Sequence, residues 1–188
     1  MIERREAIAQ LLKDRPDDLL VVTGLGSPTY DVAAAGDVAE NFYLWGAMGG
    51  AASIGLGLAQ ARKDKRVAVI TGDGEMLMGM GSLATIGAKQ PGNLAIVVID
   101  NEAFGETGGQ ASHTGLSTNL AAVALACGFR KVMTVWDASE LDSVRALMLE
   151  EKGPVLAVLK TGAKDLPRVL PERDGHAIRQ RFKAAIAI

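Results

Sequence analysis

The chain has 188 residues, 48% of them hydrophobic, and a formal net charge of −2 at pH 7, so we expect one domain over residues 1–188 and neither nucleic acid nor a membrane as a partner. The single cysteine, Cys127, excludes an intrachain disulfide and a cysteine-ligated iron–sulfur cluster or zinc site within this chain. The charged first residues and the lack of an apolar stretch of about eighteen residues predict a cytoplasmic protein without a secretory signal or membrane span.

Helices and strands are predicted to alternate along the chain, because segments with helical spacing of apolar residues separate short apolar runs. This alternation predicts an α/β protein, a three-layer α/β/α fold with a mostly parallel central sheet. In chain order we predict a helix near 2–14, a strand at 19–23, a short helix, a strand at 41–44, a helix near 49–62, a strand at 66–71, a helix near 75–89, a strand at 93–99, a helix near 119–127, a strand at 131–135, a helix near 138–151, a strand at 154–160, a surface connection over 161–173 and a last helix near 174–186.

Four connections are predicted to open on one edge of this sheet. The turns 24–28, 46–50 and 72–75 each follow a predicted strand, and so does the long polar loop that begins at Asp100. Since ligands of parallel sheets bind beyond the carboxyl ends of the strands, one ligand could contact all four connections.

The turn Gly72-Asp73-Gly74-Glu75 and the later Asn101 carry the strongest chemical signal. A carboxylate and an amide oxygen at neighbouring strand ends can hold a hard cation together with the diphosphate that the cation neutralises. Gly72 and Gly74 allow close backbone approach, and the N–H groups of Gly74 and Glu75 begin a helix whose dipole favours an anion. Asp73 could instead be a helix N-cap, but that interpretation leaves Asn101 unexplained.

These residues, at this spacing, resemble the diphosphate-binding domain of thiamin diphosphate enzymes. The resemblance covers nearly the whole chain and is most specific over 42–114. It implies that thiamin diphosphate is bound through Mg²⁺, with Asp73, Asn101 and the backbone carbonyl of Ala103 as the metal ligands. The turn that contains Gly26 and Ser27 could add N–H or hydroxyl contacts to the diphosphate, or be a simple strand-to-helix turn.

The upstream motif Gly46-Ala47-Met48-Gly49 resembles the segment that bends the cofactor in acetolactate-synthase-type enzymes. The resemblance implies that Met48 lies between the two rings as a wedge, and that its N–H donates to the pyrimidine ring. It also implies that the carbonyl of Gly46 accepts from the 4′-amino group, with Ala47 beside these contacts. A methionine by itself is more often core filler.

The loop 101–114 is long, polar and rich in glycine, and such loops are often functional. Its Thr-Gly-Gly-Gln-x-Ser-x-Thr run resembles phosphonopyruvate and sulfopyruvate decarboxylases and 2-oxoacid:ferredoxin oxidoreductases. We interpret the loop as cover for the cofactor, with Phe104 and Gly105 among its contacts, and as part of the substrate pocket, with Thr107 able to contact the diphosphate or the substrate. His113 could contact an anionic substrate or relay a proton, or be a solvated loop residue.

Taken together, the resemblance implies the β subunit of a thiamin diphosphate- and Mg²⁺-dependent decarboxylase that acts on a small anionic 2-oxo acid. In this family a glutamate of a separate pyrimidine-binding domain activates the cofactor. We therefore expect a pyrimidine-domain α subunit that supplies this glutamate, in a hetero-oligomer with two-fold symmetry.

Three alternatives are a carboligase subunit of the acetolactate synthase type, a ferredoxin oxidoreductase subunit, and a non-catalytic assembly module of the same fold. The strict dinucleotide and nucleoside triphosphate loop motifs are absent from the sequence. One departure concerns the segment 27–30, which has no Arg or Lys where family members often carry one.

Overall fold

The computed structural model describes residues 1–164 and 166–186. Its helices and strands alternate as the apolar pattern predicts. The elements are α1 (Arg4–Leu12), β1 (Leu19–Thr23), α2 (Ser27–Ala35), β2 (Asn41–Tyr43), α3 (Ala51–Ala61), β3 (Arg66–Gly72), α4 (Asp73–Met78), α5 (Gly81–Lys89), β4 (Leu94–Asp100), β5 (Ala103–Phe104), β6 (Gln110–Ala111), α6 (Leu120–Ala126), β7 (Lys131–Val135), α7 (Leu141–Leu149), β8 (Val155–Lys160) and α8 (Gly175–Ala185), with short 3₁₀ turns at 105–107, 113–115 and 138–140.

Six of the strands form one sheet in the order β2-β1-β3-β4-β8-β7. Every pairing in this sheet is parallel, as shown by the register of Val22 with Val69 and of Ile70 with Val97. The strand order reverses direction between β1 and β3, which is the point of a parallel sheet where ligands bind. The predicted three-layer fold is confirmed, and the sheet is wholly parallel.

Two hydrophobic clusters sandwich the sheet because alternate residues of each buried strand point to opposite faces. Along β3, Ala68 and Ile70 belong to the cluster under α1, α2 and α7. Val67 and Val69 belong to the cluster under α3, α5 and α6. Helix α8 borders β2 and contributes Ile178 to the first cluster and Phe182 to the second.

The predicted helix 75–89 is two helices, α4 and α5, which separate at Gly79. A Cβ atom at Gly79 would lie 2.2 Å from the carbonyl oxygen of Gly49, so the two backbones pack directly against each other there. The loop 101–114 also contains an unpredicted antiparallel pair, in which β5 meets β6 through Ala103–Ala111 and Phe104–Gln110.

The connection 161–173 lies on the surface as predicted except for Thr161, which is buried, and residue 165 is outside the described residues. It is attached to the rest of the fold by Trp45, whose indole N–H donates to the carbonyl of Glu172 at 3.0 Å. Across the described ranges 1–164 and 166–186, we find no helix whose length and hydropathy would allow it to cross a bilayer.

Candidate active site

A cavity of about 320 Å³ opens at the carboxyl ends of β1, β3 and β4, at the point where the strand order reverses. Its volume is at the lower end of the range typical of small-molecule sites. Most of the residues predicted from the sequence line it. The lining comprises Arg4, Leu25, Gly26, Ser27, Pro28, Met48, Gly72, Asp73, Gly74, Glu75, Ile99, Asn101, Ala103, Phe104, Gly105, Glu106 and Thr107.

Asp73 is the first residue of α4, and Gly72 is the N-cap residue, so Asp73 is not the helix cap. Its carboxyl group is buried and accepts a hydrogen bond at Oδ2 from the hydroxyl of Ser112. Burial raises the pKa of Asp73, and the nearby charge of Asp100 raises it further, while the bonds from Ser112 and Thr114 oppose that shift. The site therefore holds a carboxylate whose charge is only partly compensated by the chain.

A second buried carboxylate, Asp100, lies behind Asp73. The hydroxyl of Thr114 is between the two, 2.7 Å from Asp100 Oδ1 and 3.2 Å from Asp73 Oδ2. Lys160, opposite Asp100 in the register of β8 with β4, approaches Asp100 Oδ2 to 2.8 Å and Glu102 Oε1 to 2.5 Å. Burial alone would lower the pKa of Lys160, but its hydrogen bonds with these two carboxylates raise it. Lys160 thus compensates the charge of Asp100.

Asn101 follows β4 directly and lines the same cavity as Asp73. Its side-chain oxygen accepts from the N–H of Ala103 at 3.1 Å, which fixes the orientation of the amide. The main chain between them turns sharply, with Glu102 at a φ of 59°. The fold therefore brings both predicted ligand side chains, and the backbone of Ala103, to one cavity.

The oxygen atoms of this set suit a hard cation such as Mg²⁺, which takes few protein ligands and completes its shell with phosphate and water. In residues 1–164 and 166–186 no group of three or more His, Cys, Asp or Glu side chains is placed to hold a metal ion. The described residues therefore form no metal site from His, Cys, Asp and Glu side chains alone. They do fit a metal site that is completed by a phosphate ligand.

Met48 lies at the opening of the cavity, with 36% of its surface exposed. It is near the diphosphate turn, since its Cε atom is 3.6 Å from the position of a Cβ at Gly74. The ring of Phe104 is closer still, at 2.7 Å from that position, so a side chain at Gly74 would displace it. Met48 is thus at the cavity rather than in the core.

Three residues singled out in the sequence do not line the cavity. Gly46 and Ala47 are exposed residues of the loop that precedes Met48. His113 is exposed, and its ring lies edge to face with that of Phe104 at 6.3 Å between centroids. The roles of these residues remain predictions.

Several residues of the site were not predicted. Ser112 and Thr114 belong to the run that carries the resemblance, but nothing in the sequence indicated that they contact Asp73. Arg4, from α1, forms an ion pair with buried Asp31 and lines the cavity. Its guanidinium lies 3.4 Å from the carbonyl of Ser27, so a cation stands beside the segment 27–30 that lacks one of its own.

The comparisons with known proteins agree with this geometry. Residues 24–159 match the family model of the thiamine pyrophosphate enzyme, C-terminal TPP binding domain. The chain belongs to the thiamine pyrophosphate enzyme family. The domain predicted from the diphosphate turn and Asn101 is thereby confirmed, and thiamin diphosphate is the cofactor of the family.

Several curated relatives of this family member are named decarboxylases. The chain is 39% identical over 184 residues to sulfopyruvate decarboxylase subunit beta of Methanothermobacter thermautotrophicus, covering 97% of this chain and 94% of that one. It is 43% identical over 132 residues to the subunit of the same name from Methanocaldococcus jannaschii, at 70% coverage of both. It is 37% identical over 188 residues to phosphonopyruvate decarboxylase of Streptomyces viridochromogenes, covering 97% of this chain but 46% of that one. The predicted relationship to decarboxylases is confirmed.

A solved structure shares the fold. An X-ray structure of a thiamin diphosphate-dependent enzyme from Mycobacterium smegmatis superposes with a TM-score of 0.71 at 19% identity. The match covers 86% of this chain and 32% of the other. The chain thus spans about a third of that enzyme and just under half of the phosphonopyruvate decarboxylase.

Proposed function

We propose that this chain is the β subunit of a Mg²⁺-dependent 2-oxo acid decarboxylase, and that residues 1–188 act as one diphosphate-binding domain. The main support for the proposal is that Asp73 and Asn101 line one cavity, which lies where the strand order of the sheet reverses. The identity to sulfopyruvate decarboxylase β subunits supports it.

In this proposal Asp73, Asn101 and the carbonyl of Ala103 hold the metal ion, and the N–H groups that begin α4 face the diphosphate. When bound, thiamin diphosphate supplies the electron sink for cleavage of the bond to the carboxylate group. Met48, at the opening of the cavity, would support the rings of the cofactor. Phe104, Gly105 and Thr107 cover the cavity from the loop side and limit the access of water.

A partner subunit is part of the proposal, because relatives of nearly the same length are named β subunits. Among residues 1–164 and 166–186, the glutamates that line this cavity are Glu75 and Glu106, and we propose that neither activates the cofactor. Glu75 is buried and its carboxyl group accepts from Thr71 and from the N–H of Ala51. Glu106 is at the cavity rim within 3.7 Å of Arg168. We therefore assign the activating glutamate to an α subunit.

The substrate is proposed to be a small 2-oxo acid with a second anionic group, such as sulfopyruvate or phosphonopyruvate. The names of the relatives support this class. Positive charge near the cavity is available from Arg4, although Asp31 already pairs with it.

The test begins with the polypeptide that copurifies with the tagged full-length chain. The purified pair should release CO₂ from sulfopyruvate or phosphonopyruvate only when thiamin diphosphate and Mg²⁺ are both present. Calorimetry should show Mg²⁺-dependent binding of thiamin diphosphate, which Asp73→Ala abolishes and the exposed control Asp142→Ala retains. Absence of cofactor binding in the assembled pair would favour a non-catalytic module, and full turnover by the isolated chain would refute the shared site.

A further inference from the structure

The side chain of Glu75 is buried among donors that come from separate segments of the chain. Only 4% of the residue is exposed. Its Oε2 atom accepts from the hydroxyl of Thr71 at 2.9 Å, and its Oε1 atom accepts from the N–H of Ala51 at 3.3 Å. Burial raises the pKa of Glu75, and the nearby N–H groups of Gly49 and Leu25 oppose that shift. Thr71 is in β3, whereas Leu25 follows β1, Gly49 follows β2 and Ala51 begins α3.

Gly24 provides the space for this carboxyl group. A Cβ atom at Gly24 would lie 1.3 Å from Glu75 Oε2 and 2.3 Å from the carboxyl carbon. The φ angle of Gly24 is not in the left-handed region, so the backbone itself would accept an alanine. The glycine at this position is therefore required by Glu75 and not by the turn.

Each of the three N–H groups is next to a proposed cofactor-binding segment. Leu25 precedes Gly26 and Ser27, and Gly49 follows Met48. Ala51 is the first residue of α3, which fixes the other end of the Met48 loop. Movement of the carboxyl group would thus shift the β1 turn and the Met48 loop with respect to the Asp73 turn.

We propose that Glu75 is a positioning residue, which holds the Met48 loop and the β1 turn at a fixed spacing from the Asp73 turn. It acts through these segments rather than by contact with the cofactor, and the identity of that cofactor rests on the proposed function. The neighbours of the Glu75 carboxyl group include N–H groups, which need an acceptor, and the hydroxyl of Thr71, which can donate or accept. A glutamine keeps only one carbonyl oxygen for these N–H groups where the carboxylate has two oxygens, and an alanine would leave buried N–H groups without a partner.

We call the contacts of the Glu75 carboxyl group with Leu25, Gly49, Ala51 and Thr71 the Glu75 joint. Hydrogen exchange in the cofactor-free full-length chain tests this joint directly. In Glu75→Ala and in Glu75→Gln, the amides of Leu25, Gly49 and Ala51 should exchange about tenfold faster or more than in the wild type. Amides of the central strands should be unchanged, as should all of these amides in the exposed control variant Glu6→Ala. Equal exchange at the three amides in wild type and Glu75→Ala would overturn the proposal, and so would a uniform increase over the sheet.

A double-mutant cycle tests the same joint without relying on either variant alone. Gly24→Ala should lower the Tm of the otherwise wild-type chain by several degrees, and by much less when Glu75 is also alanine. An equal effect of Gly24→Ala in both backgrounds would show that Glu75 does not occupy this space, and the proposal would fail.

The copurified pair then separates the joint from the proposed function. Glu75→Gln should lower kcat and weaken thiamin diphosphate binding about tenfold at saturating Mg²⁺, whereas Asp73→Ala abolishes that binding. If the wild-type pair binds no thiamin diphosphate but the amides respond as predicted, the joint stands and the proposed function fails. If the wild-type pair binds the cofactor and Glu75→Gln changes neither kcat nor affinity, the positioning role fails.

Discussion

The buried hydroxyl group of Ser112 donates a hydrogen bond to Oδ2 of Asp73, a residue that precedes it by 39 positions. This contact connects the loop 101–114 to the diphosphate turn. It also orients the carboxyl group of Asp73, because one of its two oxygens is engaged with the protein. The proposed metal ligand is therefore held by a loop that covers the same cavity.

Ser112→Ala should weaken Mg²⁺-dependent binding of thiamin diphosphate by roughly 10- to 100-fold without unfolding the chain. The reason is that Asp73 would lose the donor that fixes its orientation. Calorimetric titration of the copurified pair at constant Mg²⁺ measures the change. Ser117→Ala, at an exposed position three residues beyond this loop, is the control and should bind as the wild type does. Equal affinities of the two variants would mean that the contact has no role in binding.

Lys160→Met should destabilise the chain by about 3 kcal/mol, because Asp100 would remain buried without its cation. Urea denaturation followed by circular dichroism measures the loss. Lys131→Met removes an ion pair between two well-exposed side chains and should cost less than about 1 kcal/mol. The double variant Asp100→Asn, Lys160→Met should recover part of the stability. A double variant as unstable as Lys160→Met would contradict this explanation.

Met48→Ala should lower turnover about tenfold or more while leaving the Tm nearly unchanged, because the side chain lies at the cavity opening and not in the core. Steady-state kinetics of the copurified pair and thermal denaturation of the chain give the two quantities. Met78→Ala is a matched control, since Met78 is exposed and does not line the cavity. The same fall in turnover for both methionines would argue against a wedge at position 48.

Two glycines in helices should respond in opposite directions to substitution by alanine. A Cβ at Gly87 in α5 would lie 1.7 Å from the carbonyl oxygen of Cys127, whereas a Cβ at Gly57 in α3 has no atom within 4 Å. Gly87→Ala should therefore destabilise the chain by about 1–3 kcal/mol, and Gly57→Ala should stabilise it by roughly 0.5–1 kcal/mol. Urea denaturation of both variants is the test, and a stabilised Gly87→Ala would show that α5 and α6 are not packed this closely.

The strands were predictable because buried parallel strands are short, apolar runs between turns. The predicted strands 19–23 and 131–135 coincide with β1 and β7. The break at Gly79 was missed as a helix boundary because its cause is the backbone of Gly49, which lies 30 positions earlier in the sequence. The β5–β6 pair was missed because its two-residue strands are too short to show a periodic pattern.

The sequence by itself determined the fold class and the candidate ligands Asp73 and Asn101. Both follow from the order of residues along the chain, in which apolar strands are followed by glycines and by side chains that carry oxygen atoms. Only the tertiary structure decided how the charges are arranged. Lys160 reaches Asp100 across neighbouring strands, Ser112 reaches Asp73 from the covering loop, and Glu75 takes the space left by Gly24. Such contacts depend on which segments the sheet order brings together, and no local pattern of residues specifies that.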